Sequence, residues 1–297
     1  MKAIHKIMLA AAIVAVLGAA IFTVSMTLNG WDFSKLSTVR FTTVEKEISE
    51  DFRNISIDAD TADVLFVPSD DGKCRVSCYD GENIGYTVCV DGDSLVIQKT
   101  DDREWYEYIA IAIGSPKVTV YLPKKEYGSL TVNISTGDVE IHDDFTAESI
   151  DISATTGDIR AEKVTAGSLS VSVSTGDVTV KDVNCGAARI SVSTGSTELT
   201  DVSCESFVSH GRTGDVLLKN VIASETIRIE RSTGDVTMTD SDAAEIFVET
   251  TTGDVMGTLL SEKVFIVETS TGSVTVPRSA GGGRCEITTS TGDIFFK

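Results

Sequence analysis

The sequence is short of the residues that most often build reaction centres and nucleic-acid surfaces. It has three His, two Trp and four Pro in 297 residues, and 25 Lys and Arg stand against 45 Asp and Glu. The first thirty residues carry only Lys2 and Lys6 and no acid, so removing them from the net charge of −20 leaves about −22 on the remainder. A body this acidic repels phosphate backbones and anionic head groups, which argues against nucleic acid or a membrane face as its ligand and leaves cations or basic partners. The six Cys include no C-x-x-C, and no His-rich spacing accompanies them, so zinc is not indicated and no metal or other cofactor is expected. Few prolines beside 24 Gly suit short strands joined by tight turns.

Long apolar runs are also missing, with one exception. Residues 7–28 form 22 uncharged, mostly apolar positions, about what a helix needs to cross a hydrocarbon core. Lys2, His5 and Lys6 precede them, so residues 1–6 are expected in the cytoplasm and everything after Asn29 outside. A cleaved signal peptide is the competing reading, although residues 20–30 offer no clean small-x-small site. Both readings export the body.

What the sequence has is a repeat. Thr-Gly recurs with its glycine at Gly137, Gly157, Gly176, Gly195, Gly214, Gly234, Gly253, Gly272 and Gly292, at intervals of 19 or 20 residues. Asp follows seven of these glycines, and Ser196 and Ser273 follow the other two. Apolar residues stand seven and five positions before each glycine, as in Leu130 and Val132, Ile150 and Ile152, or Ile227 and Ile229. Ser209 breaks the second column. Alternation of this kind is a strand with one face inward, and Val178 and Val180 continue it after the glycine.

One unit is too small to bury its apolar face alone, so the coils are expected to stack about 4.8 Å apart as parallel strands. The fold class is therefore all-β, a right-handed parallel β-helix with coils of 19–20 residues, behind one N-terminal transmembrane helix. At the corners, glycine supplies a positive φ, Asp is expected to bond the backbone two residues on, and Thr its neighbours along the stack. Cation binding by the acidic corners is the functional rival, but the G-G-x-G-x-D pattern of calcium-binding rolls is not matched.

The remaining segments follow from this frame. Residues 29–50 read as a stalk, 51–128 as an irregular β section capping the first rung, and 129–297 as the regular solenoid. Trp105, Tyr106 and Tyr108 fall in an expected loop as packing residues. Beyond the last Thr-Gly, Ile294 and Phe295 are expected to leave an uncapped C-terminal rung, a strand edge that needs a cover or a second copy. Cys185 and Cys204 each stand nine residues after a repeat glycine, hence one above the other, and Cys78 and Cys89 flank a turn near Asn83. Both pairs are possible disulfides or free thiols.

Catalytic residues are not apparent. The one unusual outward cluster is His210, Arg212, Arg228 and Glu230 on adjacent rungs, which reads as a surface ion-pair network and, as a weaker alternative, a site. The S-T-G-D-V and T-T-G-D-I units, with V-Y-L-P-K-K-E-Y-G-S-L at 120–130 and one N-terminal anchor, resemble the bacterial LiaG-like family of candidate adhesins of unknown function over about residues 45–297. That resemblance implies a β-helix at the cell surface and no catalytic residues. The expected function is a membrane-anchored, non-catalytic adhesion or protein-interaction module whose partner is an unidentified cell-envelope protein or surface ligand. The alternatives are a structural protein assembling end to end through its C-terminal rung, and an exported carbohydrate-active β-helix enzyme.

Overall fold

The computed structural model describes residues 2–31, 42–80, 84–101 and 116–297. The chain divides into two units, one holding the N-terminal helix and the other the β-body.

The helix, Lys2–Leu28, is 27 residues long. Its aliphatic side chains are exposed along its length, with Ile7, Val14 and Ile21 each about 70% open. The Thr23 and Thr27 hydroxyls donate to the carbonyls of Ala19 and Thr23, at 2.8 and 2.7 Å, so these two polar side chains are satisfied within the helix. Gly30, in the left-handed region at φ 70°, follows its end. Among the described residues this is the one helix long and apolar enough to cross a membrane.

The body is a β-solenoid. Ile55, Leu130, Ile150, Leu169, Ala188, Phe207, Ile227 and Ile246 stack in register through parallel pairing, and Thr61, Thr136, Thr156, Thr175, Thr194, Thr213, Thr233 and Thr252 form a second file. Each regular coil, designated by its corner glycine, has three straight sides. In coil 157 these run before Gly157, from Ile159 to Glu162, and from Val164 to Ala166, with Ile152, Ala161 and Val164 turned inward and buried. The second corner places Asp143, Lys163, Asp182, Asp201, Asn220 and Asp240 in the left-handed region, at φ between 48 and 58°. Asp and Asn tolerate that conformation better than most residues.

The Thr-Gly corner is tighter. At Gly157, with φ 140°, a Cβ would lie 1.8 Å from the carbonyl oxygen of Gly137 in the coil beside it. Glycine is required there by close approach as much as by backbone conformation. The aspartates act between coils: Asp138 Oδ1 accepts the Asp158 amide at 2.8 Å, Asp158 that of Asp177 at 2.8 Å, and Asp177 that of Ser196 at 2.7 Å. The expected bond to the backbone two residues on is thus replaced by a ladder along the stack.

The solenoid starts earlier than its regular repeats. Residues Asn54–Thr61 and Asp63–Pro68 make a coil in register with coil 137, and Asp63 Oδ1 accepts the Asp138 amide at 3.1 Å. Ser94–Asp101 and Lys117–Leu122 stack on its other side, and Cys74–Asp80 pairs antiparallel with Lys117–Leu122. Thr42–Ile48 pairs with Cys74–Asp80, so the first strand of the body lies inside the stretch expected as stalk. Trp105, Tyr106 and Tyr108 lie outside the described residues.

The far end corrects the expected rung order. Gly283–Thr291 pairs with Glu245–Thr252 on one side and with Lys263–Thr271 on the other, so coil 292 lies between coils 253 and 272. The C-terminal rung is therefore enclosed, with Ile294 and Phe296 buried, and the open edge belongs to coil 272. The cause is local. Beyond the bridge of Ile222 with Asp242 the third side gives way to loops at 260–262 and 276–282, which let the chain step over one level and return. A buried ion pair holds the step: Lys263, 4% exposed, reaches Asp242 Oδ1 at 2.6 Å and Ser261 Oγ at 2.7 Å. A Cβ on Gly283 would lie 3.3 Å from that ammonium.

Candidate functional site

Strand alternation sets the composition of the solenoid wall, so a site shows itself where an inward position turns polar. Three positions before the corner glycine, the inward residue is Val173 and then Val192, but Gly211 in coil 214 and Arg231 in coil 234. Two further inward positions depart with them. Thr197 stands between Val178 and Val216, and Ser209 between Ile190 and Ile229, and both are fully buried.

These four residues make one arrangement. Arg231 is 5% exposed, and its guanidinium donates to Ser209 Oγ at 2.8 Å, Thr197 Oγ1 at 3.1 Å and the Glu230 carbonyl oxygen at 3.1 Å. The absence of a side chain at Gly211 makes this possible, since a Cβ there would sit 2.7 Å from the Arg231 Nη1. The Arg231 Nε is buried with no hydrogen-bond partner. Among the described residues no carboxylate pairs with this guanidinium, and burial pulls its pKa down to about 10.

Above it the solvent face opens into a cleft of about 420 Å³, lined by Ser191, His210, Gly211, Arg212, Glu230, Arg231 and Glu249 among others. Adjacent coils carry His210 and Glu230 in register, and His210 Nδ1 lies 3.0 Å from Glu230 Oε2. The other carboxylate oxygen is 3.5 Å from Arg228 Nη1, so Glu230 bridges the imidazole and the guanidinium. Arg228 itself turns to the adjoining depression, over the Phe247 ring at 4.7 Å, with Arg284 at 5.5 Å from the same ring.

The cluster expected from the sequence is thus brought together as His210, Arg212 and Glu230 in one cleft, with Arg228 on its flank. Arg231 was missed. The inward columns seven and five positions before the glycine reveal Ser209, and the column three before it would have revealed Gly211 and Arg231 as well.

The thiols lie away from this cleft. Cys185 and Cys204 are buried on successive coils and both are thiols in the structure. Burial raises their pKa to about 11 and about 12, the neighbouring Cys185 adding to the rise at Cys204. Cys78 is buried in Cys74–Asp80 and Cys89 is exposed in Ile84–Asp91. The corner aspartates spend one oxygen each on the amide of the next coil, and among the described residues no group of three His, Cys, Asp or Glu is arranged to hold a metal ion.

Comparison with known proteins adds a family and a fold. The family model described as Toastrack DUF4097 matches residues 52–296. A solved candidate adhesin from Parabacteroides distasonis ATCC 8503 is similar at 12% identity and a TM-score of 0.54, covering 87% of this chain and 98% of that one. A candidate adhesin from Parabacteroides merdae ATCC 43184, at 13% identity, and a candidate lipid binding protein from P. distasonis, at 14%, each align with a TM-score of 0.50 over 88% of this chain and 98% of theirs. At such identities the likeness extends to the fold. None of the curated proteins matches the chain.

Proposed function

The chain belongs to the Toastrack family, and from that premise we propose that it is a membrane-anchored, extracytoplasmic β-solenoid serving as a cell-surface adhesion or protein-interaction module without catalytic activity. The observation that carries this reading is where the repeated chemistry goes. The corner glycines are consumed by close approach and the aspartates by the inter-coil ladder, which leaves the outward strand face, with the cleft over Arg231, as the part of the wall free to meet a ligand. A stacked, regular wall with a recessed polar site suits recognition.

The His210 and Glu230 pair has the form of an oriented base, but among the described residues no hydroxyl or thiol bonds the other ring nitrogen of His210. The exposed apolar helix and the positive residues before it support an anchor with its N-terminus in the cytoplasm. The names of two of the similar solved structures, the candidate adhesins, agree with a surface role. Two experiments test the reading. A tag appended at Lys297 should be removed by protease added to intact spheroplasts, and protection of the tag would place the body inside. Cross-linking of the full-length chain in whole cells should recover a defined envelope partner, and recovery of the bait alone would argue against an interaction module.

End-to-end assembly is a second reading, favoured by a specific feature. The edge strand Lys263–Thr271 presents Val264 and Ile266, 37% and 49% exposed, beside Leu260 and Val274, which are 59% and 43% exposed. An unpaired parallel edge with aliphatic flanks is a template for another strand. Light scattering of the full-length chain in detergent, with and without Ile266→Lys, separates the readings: a concentration-dependent mass lost in the variant supports assembly, and an invariant monomer opposes it.

A further inference from the structure

Arg231 poses a physical problem that the fold does not solve. A guanidinium has five N–H donors, and three are met by Ser209, Thr197 and the Glu230 carbonyl. The Nε–H is buried and unmet. A buried cation without a carboxylate is costly, and a well-packed aliphatic residue in its place would serve stability as well or better. Two coils further up the stack use that aliphatic solution, with Val173 and Val192 at the same position, whereas the coils adjoining Arg231 carry Gly211 and the buried Thr250 there. Three further residues depart from the inward columns around the arginine: two buried hydroxyls where adjoining coils carry aliphatics, and a glycine where a side chain would strike it. The arrangement is coordinated across three coils and its net charge is uncompensated.

We propose that the cleft over Gly211 binds a small ligand through a carboxylate, which docks on the Arg231 guanidinium and is flanked by Arg212 and His210. The volume of about 420 Å³ suits a sugar- or dipeptide-sized molecule. Arg212 lines the same cleft and forms no ion pair among the described residues, so it is available as a second cation. The rim carries acceptors as well, Glu249 and Glu230 with the hydroxyls of Ser191, Ser193 and Ser232. Those carboxylates disfavour a doubly charged phosphate and suit a ligand that is singly charged at one end and rich in O–H or N–H donors at the other. Glu230, held by His210 and Arg228, is kept from folding onto Arg231 and closing the site. The ordinary alternative is that Arg231 is a structural tie between coils.

The inference rests on the recognition reading and names its ligand class. Its test reads the cleft directly, so partner capture elsewhere on the solenoid would survive its failure. The full-length chain in detergent micelles is titrated by calorimetry and thermal shift with D-glucuronate, with N-acetyl-alanyl-alanine, with D-glucose as neutral control and with inorganic phosphate. At least one of the two carboxylates should bind and raise Tm, about tenfold or more tighter than D-glucose, as expected for a charge-assisted contact. Which of the two responds tells a sugar acid from a peptide C-terminus. Arg231→Met should abolish the response while melting no lower than the parent without ligand, whereas a structural tie would melt lower. Arg212→Gln, on the open rim, should fold normally and weaken binding several-fold, and it decides the matter if the first variant does not fold. No carboxylate binding at about 10 mM, undiminished binding in the Arg212 and Arg231 variants, or phosphate binding tighter than either carboxylate would overturn the proposal.

Discussion

A single residue in this fold is felt by its neighbours along the stack before its neighbours along the chain. Gly176 has φ 145° and a prospective Cβ 2.0 Å from the Gly157 carbonyl oxygen, so Gly176→Ala should lower stability by about 3 kcal/mol or more. Gly92 is also left-handed, at φ 61°, but open space surrounds it, so Gly92→Ala should cost only about 1 kcal/mol. Chemical denaturation of both variants checks the difference, and equal losses would mean that backbone strain, not coil contact, governs the corners. The stacked thiols give a pH signature. Their folded pKa values, about 11 for Cys185 and about 12 for Cys204, stand above the ordinary thiol value of 9.0, so the folded state keeps protons that the unfolded state releases. Their contribution is complete below pH 9 and is lost as pH rises towards 12. Stability should fall over that window, less steeply in the Cys185→Ala, Cys204→Ala double variant, and an unchanged slope would remove the thiols as the cause.

At the scale of strands and corners, legibility tracked repetition. The Thr-Gly-Asp corner was visible because the same letters recur every 19 or 20 residues, and the inward columns because aliphatics alternate. The second corner was not, since its left-handed position is filled by Asp143, Lys163, Asp182 and Asn220, which share a conformation but no single letter. The rung order near the end was also hidden. Lys263–Thr271 and Gly283–Thr291 carry equivalent alternation, and nothing in either says which one faces Glu245–Thr252. The selecting contact is tertiary, the reach of Lys263 to Asp242 past Gly283. Lys263→Met should therefore cost about 3 kcal/mol by stranding the partner carboxylate, and the Lys263→Met, Asp242→Ala double variant should recover most of it. Denaturant midpoints of the set test this, and simple additivity would show that the pair is not a clamp.

For the whole molecule, stability is a sum over adjoining coils, and disturbance should stay local. Deleting residues 283–297 removes the rung between coils 253 and 272, and amide exchange should then accelerate across 245–275 while 130–213 keeps its protection. Uniform loss of protection would mean a single cooperative core. The solenoid is legible in the sequence as a whole because its period exceeds any local ambiguity, and the cleft only in part, because Arg231 lies on the inward side of a strand whose outward residues, Arg228 and Glu230, carry the visible change of pattern. The enclosed position of residues 283–297 also bears on how the protein is made. They leave the ribosome after residues 263–275, yet they belong beneath them, so the earlier segment cannot settle until the later one has slid into the gap. Every newly made copy therefore passes through an interval with a vacant berth between two strand edges, and during that interval a stray β-strand from another chain is its most dangerous neighbour.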